Sequence, residues 1–172
     1  MNRVLISACL LGERVRYDGC AFPSNHEILN GWRAEGRLVP ICPEVAGGLT
    51  VPRSPAEILN GDVRTVLESN AKVMTKTGDD MTAAFLKGAN EVLALARESK
   101  CRLAILTEKS PSCGSSLIHD GTFSAGLRQG RGVTAELLEE NGVRVFNQHQ
   151  VEQAAEYLLE IEQSETDVPR HD

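Results

Sequence analysis

No C-x-x-C pair occurs in the chain, and no apolar run approaches the ~20 residues of a membrane span. Aromatics are scarce: four Phe, two Tyr and one Trp. Positive charge is in the minority, with 18 Lys and Arg against 24 Asp and Glu and a net charge of −6. Each shortage excludes something. Without C-x-x-C, the zinc-ribbon, thioredoxin-like and ferredoxin-like patterns fall away, and any metal site must be assembled from distant parts of the chain. An acidic chain with few aromatics is a poor binder of nucleic acid polymers, which favour a basic face. Neither a nucleic acid nor a membrane is expected as partner, and small-molecule chemistry is the better expectation. The opening Met1-Asn2-Arg3-Val4-Leu5-Ile6 lacks the long apolar region of a secretory signal and reads as a first strand.

What is present fits an ordinary globular protein. The 172 residues are 41% hydrophobic and 24% charged. This length predicts a single domain with a continuous core, placed at residues 1–163, followed by a flexible polar tail over 164–172. The cysteines are Cys9, Cys20, Cys42, Cys101 and Cys113. Their odd number and wide spacing argue against a disulfide framework and for a reducing cytoplasm.

Four short apolar runs read as buried parallel strands: Val4 to Ser7, Leu38 to Ile41, Leu103 to Leu106 and Val143 to Phe146. Helical patterns lie between them. A first helix is expected near Asn25 to Glu35, stopping at Gly36. A second begins near the N-caps Asp79 and Asp80, with Met81, Phe85, Ala89, Val92, Leu93 and Ala96 on one face. A third runs from Val133 to Asn141 and stops at Gly142. A fourth starts at Asn147, with Gln150 completing a capping box. Asp62 to Lys76 alternates apolar and polar residues around Ser69-Asn70 and reads as a hairpin insertion. The whole predicts a three-layer α/β fold: a mainly parallel, Rossmann-like sheet with helices on both faces and a small β-hairpin insertion.

In such sheets, ligands bind outside the carboxyl ends of the strands. Cys9 follows the first strand, Cys42 the second and Cys113 the third. One such cysteine alone is ordinarily a small core residue. Three at equivalent positions point to a shared site suited to a soft metal or an iron–sulfur cluster. A closed zinc site needs a fourth protein ligand, for which His26, His119 and His149 are available, though none sits in a motif. Cys101 reads as core, and Cys20 follows a turn-like Tyr17-Asp18-Gly19. Glu44, two residues past Cys42, is a candidate general base beside such a site. Ser110 and Ser112 flank Pro111 in what reads as turn chemistry. Gly130 to Ala135 satisfies a loose G-x-G-x-x-A pattern without a preceding strand, so a dinucleotide site is not expected. A helix N-terminus with Arg128 or Arg131 nearby can still hold one phosphate. Arg14, Arg16 and Arg53 are further anion-binding candidates, and Ser112 joins Arg128 and these three as candidate substrate contacts. Cys9 and Arg14 are one residue too close for a tyrosine-phosphatase loop, where Val15 holds the arginine's place.

These motifs together carry a resemblance. Ser7-Ala8-Cys9-Leu10-Leu11-Gly12, Arg16-Tyr17-Asp18-Gly19, Cys42-Pro43-Glu44 with Gly47-Gly48, Pro52-Arg53, and Ser110-Pro111-Ser112-Cys113-Gly114 with Asp120-Gly121-Thr122-Phe123 resemble the thiouracil desulfidase (TudS-like) family in its single-domain form. The likeness runs from Val4 to Val145. It implies a 4Fe–4S cluster held by Cys9, Cys42 and Cys113, with one open iron. It also implies non-redox removal of sulfur from a thiolated pyrimidine, with Glu44 and Ser110 as the catalytic pair. For the single-domain form, the implied substrate is 4-thiouridine monophosphate, giving UMP and hydrogen sulfide. Many relatives carry a cysteine where this chain has Val15, so that cysteine is not expected to be an essential ligand. The residues alone leave two other readings open. One is a cluster-free sulfurtransferase that carries a persulfide on one cysteine. The other is a non-enzymatic metal- or redox-sensing module.

Overall fold

Short apolar runs satisfy their backbone groups by pairing with one another, and here they do so side by side. The computed structural model describes residues 1–68 and 70–166. In chain order it contains β1 (Val4–Ser7), a 3-10 turn (Ala8–Leu11), α1 (Glu27–Ala34), β2 (Leu38–Ile41), α2 (Pro43–Ala46), β3 (Ala56–Leu59), α3 (Val63–Leu67) and β4 (Lys72–Thr75). There follow α4 (Thr82–Glu98), β5 (Leu103–Leu106), β6 (Leu117–His119), β7 (Leu127–Gln129), α5 (Val133–Glu140), β8 (Arg144–Asn147) and α6 (Val151–Thr166).

The main sheet has the order β2-β1-β5-β8, and every pairing in it is parallel. β1 and β5 are central and buried along their whole length. Their side chains alternate between two clusters, as the pleat dictates. Val4, Ile6, Leu103 and Ile105 pack with Leu29 and Trp32 of α1 and with Val151, Ala154 and Leu158 of α6. Leu5, Ala104 and Leu106 pack with Val92, Leu93 and Ala96 of α4 and with Ala135 and Leu138 of α5. Helices therefore cover both faces, as expected. Cys101 lies in the second of these clusters, as core. The chain passes from β1 to β2 on one side and returns to β5 on the other. That reversal opens a crevice at the carboxyl ends of the strands. Among the described residues, no helix is long and apolar enough to cross a membrane.

Local expectations are corrected in places. The hairpin is not folded from Asp62–Lys76 on itself. β3 pairs antiparallel with β4, from Ala56↔Thr75 to Leu59↔Lys72, and α3 lies in the connection. Asp62 caps that helix by accepting from Thr65 N at 3.1 Å, and Val63 and Val66 are buried at helical spacing. The alternating pattern was compatible with both periods. Ser69, placed at the expected turn, lies outside the described residues. A second small hairpin, β6 with β7, carries no comparable alternation in sequence. Finally, residues Ser164–Thr166 of the expected tail are the last residues of α6, and 167–172 lie outside the described residues. The reciprocal pair expected at Asn147 is present, with Asn147 Oδ1 accepting from His149 N at 2.9 Å and Gln150 Oε1 accepting from Asn147 N at 3.1 Å. It closes the turn after β8, however: Asn147 ends that strand and α6 begins at Val151, not at Asn147.

Candidate active site

Cys9, Cys42 and Cys113 line one cavity of about 920 Å³ at the carboxyl ends of β1, β2 and β5. Local sequence explains each position. The 3-10 turn after β1 sets Cys9 and ends at Gly12, whose φ of +94° suits glycine. Cys42 is the N-cap of α2, with Pro43 at the first helical position. α2 is pressed onto α4 through two glycines. A Cβ on Gly47 would lie 2.1 Å from Ala84 O, and one on Gly88 would lie 2.0 Å from Pro43 O. Cys113 sits in the loop after β5, which is folded around Ser110. The Ser110 Oγ accepts from Ser112 N and Cys113 N, both at 3.1 Å.

The N-terminus of α5 is committed to this same loop. Gly132 N donates to Gly114 O, Val133 N to Pro111 O and Thr134 N to Ser112 O, at 2.8–2.9 Å. A Cβ on Gly132 would lie 2.3 Å from the Ser112 carbonyl carbon. The glycine pattern at 130–135 thus serves close packing, and these N–H groups are not free for a phosphate. The Ser112 hydroxyl bonds Thr134 Oγ1 at 2.9 Å in the interior. Ser112 does not line the cavity, and neither do Arg14 and Arg128. Arg128 instead donates to Gly61 O at 2.7 Å. Cys20 is exposed and also lies off the cavity wall. His26 caps α1 and pairs with Glu152, whereas His119 and His149 line the cavity.

Glu108, which the sequence did not single out, anchors the Cys113 loop. It is buried, and its Oε1 accepts from the N–H groups of Lys109, Ser115, Ser116 and Leu117 at 2.8–3.3 Å. Its Oε2 accepts from the Ser115 and Ser116 hydroxyls and from Asn147 Nδ2 at 2.6–3.0 Å. Burial alone would raise its pKa. The hydrogen bonds from the Ser116 and Leu117 amides and the two serine hydroxyls outweigh it and bring the group down to about 2. The available signal was position: an acid directly beyond a buried strand, at the edge where this fold binds ligands.

Glu44 and Arg53 both line the cavity as a pair. Arg53 Nε donates to Glu44 Oε2 at 2.7 Å, and Nη2 reaches the same oxygen. Their side chains are 9% and 16% exposed for Arg53 and Glu44, so this is a shielded contact. Arg53 also donates to Val15 O at 3.0 Å and to Thr50 O at 3.1 Å. Expected as an anion binder, it is spent on Glu44 and on backbone. Arg16 does line the cavity, with its guanidinium 5.5 Å from the Phe22 ring centre.

The thiols are free of one another. Cys9 Sγ contacts Thr107 Oγ1 at 3.0 Å, Ser7 Oγ contacts Cys113 Sγ at 3.8 Å, and Cys42 Sγ contacts Val15 O at 3.8 Å. Burial pushes the Cys9 and Cys42 thiols up. It pushes Cys113 up furthest, helped by Cys42, Glu44 and Cys9 nearby. Positive charge must therefore be supplied before these groups ligate as thiolates. Among the described residues, no three His, Cys, Asp or Glu side chains close round a single metal ion. Ligands of a cluster sit farther apart, because each binds a different iron. Three separated soft donors in one cavity fit an iron–sulfur cluster better than a closed zinc site.

The 2-thiouracil desulfurase family model matches residues 4–150. An uncharacterised Bacillus subtilis (strain 168) protein, YbbK, is 42% identical over 148 residues, which cover 86% of this chain and 97% of YbbK. The solved structure of a [4Fe-4S]-dependent thiouracil desulfidase, TudS, is similar with a TM-score of 0.84 and 41% identity, covering 92% of this chain and 98% of that one. A family match over most of the chain, a shared fold and three cysteines gathered at one edge of this chain's sheet lead to one assignment: the chain belongs to the 2-thiouracil desulfurase family.

Proposed function

We infer that the chain is an iron–sulfur-dependent desulfidase that removes sulfur from thiolated pyrimidines without net redox chemistry. The observation that carries this reading is the meeting of Cys9, Cys42 and Cys113 with Glu44 and Ser110 on the wall of one cavity. The three cysteines are the ligands of a 4Fe–4S cluster. Bound there, the cluster supplies an open iron, a Lewis acid matched to the soft sulfur of a thiocarbonyl. The protein's own groups supply the rest.

Arg53 occupies one oxygen of Glu44. The other oxygen is the base that takes a proton from water as water attacks the ring carbon. Ser110 Oγ already accepts two backbone N–H groups, so its hydroxyl hydrogen is left to donate. It steadies charge on the substrate as the carbon–sulfur bond breaks. Water adds an oxygen to the ring carbon, and sulfur leaves with the bonding pair as sulfide. The overall change is thiocarbonyl plus water to carbonyl plus hydrogen sulfide, with no electron gained or lost.

The substrate in this reading is 4-thiouridine monophosphate, converted to UMP. Arg16, Lys76 and Lys109, all on the cavity wall, are the candidate cations for its phosphate. Free thiols throughout the chain and a cluster of this type suit a reducing cytoplasm. The test is iron and acid-labile sulfide per chain on anaerobically reconstituted protein, followed by turnover of 4-thiouridine monophosphate. About four of each and release of UMP are expected. Glu44→Gln should keep the iron and lose turnover, and Cys9→Ser should lose both. A colourless protein after reconstitution would overturn the cluster and favour a persulfide-carrying cysteine. Equal kcat/KM for nucleotide and free base would remove the phosphate contacts.

A further inference from the structure

One wall of the cavity has no part in the chemistry at the thiols. β6 ends at His119, and residues 120–126 form a tight loop before β7. Asp120 Oδ1 accepts from Thr122 N at 3.0 Å and from Thr122 Oγ1 at 2.6 Å, while Asp120 N donates to Gly126 O at 3.1 Å. From β3, Glu57 reaches into the same loop. It is 7% exposed, and its Oε1 accepts from Gly121 N at 2.9 Å and Phe123 N at 3.2 Å. Gly121 approaches β3 so closely that a Cβ would lie 2.8 Å from Ile58 O. Phe123 and Ala125 have φ of +56° and +63°, a left-handed conformation that side chains other than glycine adopt at a cost.

A buried carboxylate and two strained residues are a heavy investment in a short loop. From this loop, Phe123 and Ala125 line the cavity. The other aromatics on the wall are otherwise engaged. Phe85 is packed in the core beneath β3 and β4. Phe22 is 49% exposed and lies under the Arg16 guanidinium. Tyr17 is exposed in the loop whose carbonyl accepts from Arg53 N. Phe123 alone among these is half-buried on a loop fixed by a buried acid.

We propose that Phe123, held in place by Glu57, is the platform on which the flat face of the thiopyrimidine ring stacks, and that this pair sets substrate affinity. The inference rests on the thiopyrimidine reading above. A pyrimidine offers a π face whatever its ring substituents, so stacking holds the ring without consuming the thiocarbonyl, which stays free to react. Phe123 touches substrate, and Glu57 is a positioning residue.

The test compares Phe123→Ala, Phe123→Leu, Phe123→Tyr, Glu57→Ala and Glu57→Gln in the cluster-loaded enzyme. Phe123→Ala should raise KM for 4-thiouridine monophosphate about tenfold or more, with kcat within about threefold and iron per chain unchanged. Calorimetric binding of UMP, which needs no turnover, should weaken by the same factor. Phe123→Leu, apolar but without a π face, should lose severalfold, and Phe123→Tyr should recover most of the affinity. Glu57→Ala should copy the Phe123→Ala effect on KM. Glu57→Gln, which keeps an accepting oxygen, should restore it. Unchanged KM and UMP affinity in Phe123→Ala, or a fall in kcat at constant KM, overturns the platform and leaves the desulfidase reading standing. Wild-type protein that loads its cluster yet neither binds UMP nor converts any thiopyrimidine overturns both.

Discussion

A carboxylate filled by donors is held in its ionised form, and Glu108 shows what that is worth. Its folded pKa of about 2 lies below the ordinary 4.5. The benefit is complete above pH 4.5, where both folded and unfolded chains are ionised. As pH falls, the unfolded chain takes up the proton first, and the stabilisation drains away between about 4.5 and about 2. The amount is roughly 3 kcal/mol. Urea midpoints of cluster-free protein should therefore fall between pH 5 and pH 3, and Glu108→Gln should flatten that fall while lowering stability at pH 7. An unchanged acid slope in Glu108→Gln would remove Glu108 from the acid response. Arg53 teaches a related lesson. An arginine near a strand end looks like a phosphate binder until its partner is known, and here the partner is Glu44. Which of several arginines meets a given acid depends on loop paths, and no spacing rule encodes it.

Between elements, the contact that aims the site is the crossing of α2 and α4. α2 is only four residues long and cannot hold itself. Gly47 and Gly88 let it lie backbone to backbone against α4, and this fixes the direction in which Cys42 and Glu44 leave β2. Gly88→Ala forces the two backbones apart. It should cost about 1–3 kcal/mol and lower kcat, because the proposed base Glu44 and the proposed cluster ligand Cys42 move with α2. Gly31 of α1 is the contrasting case: a Cβ there meets nothing within 4 Å. Gly31→Ala should stabilise the protein by up to about 1 kcal/mol and leave turnover unchanged. Thermal melts of both variants check the pair, and equal effects would show that the crossing is not the constraint. Both glycines occupy helices and look alike in sequence. What separates them is the neighbour each one faces.

For the whole molecule, the sheet is buttressed on both faces by clusters that include none of the cavity's chemistry except Cys113 and Cys9. Removing the cluster should therefore leave the fold intact. Far-ultraviolet circular dichroism should be retained, while the thermal midpoint drops by several degrees as the proposed ligand of three strand-end cysteines is lost. Collapse to an unfolded apo chain, as in a zinc finger, would contradict this. The sequence by itself determined the four parallel strands, to within one residue, and the four longer helices α1, α4, α5 and α6, but not the short α3. Apolar runs of strand length and stripes of helical period are local signals, and burial of both follows directly from them. It also determined that three cysteines leave three strand ends, since parallel strands all point the same way. Only the tertiary structure decided that β4 pairs with β3 across an intervening helix, that Arg53 serves Glu44, and that α5 spends its N-terminus on the cysteine loop. It alone made Glu57 and Glu108 anchors of cavity loops. Those contacts join groups that loop paths and packing bring together. They depend on three-dimensional position, which no pattern along the chain records.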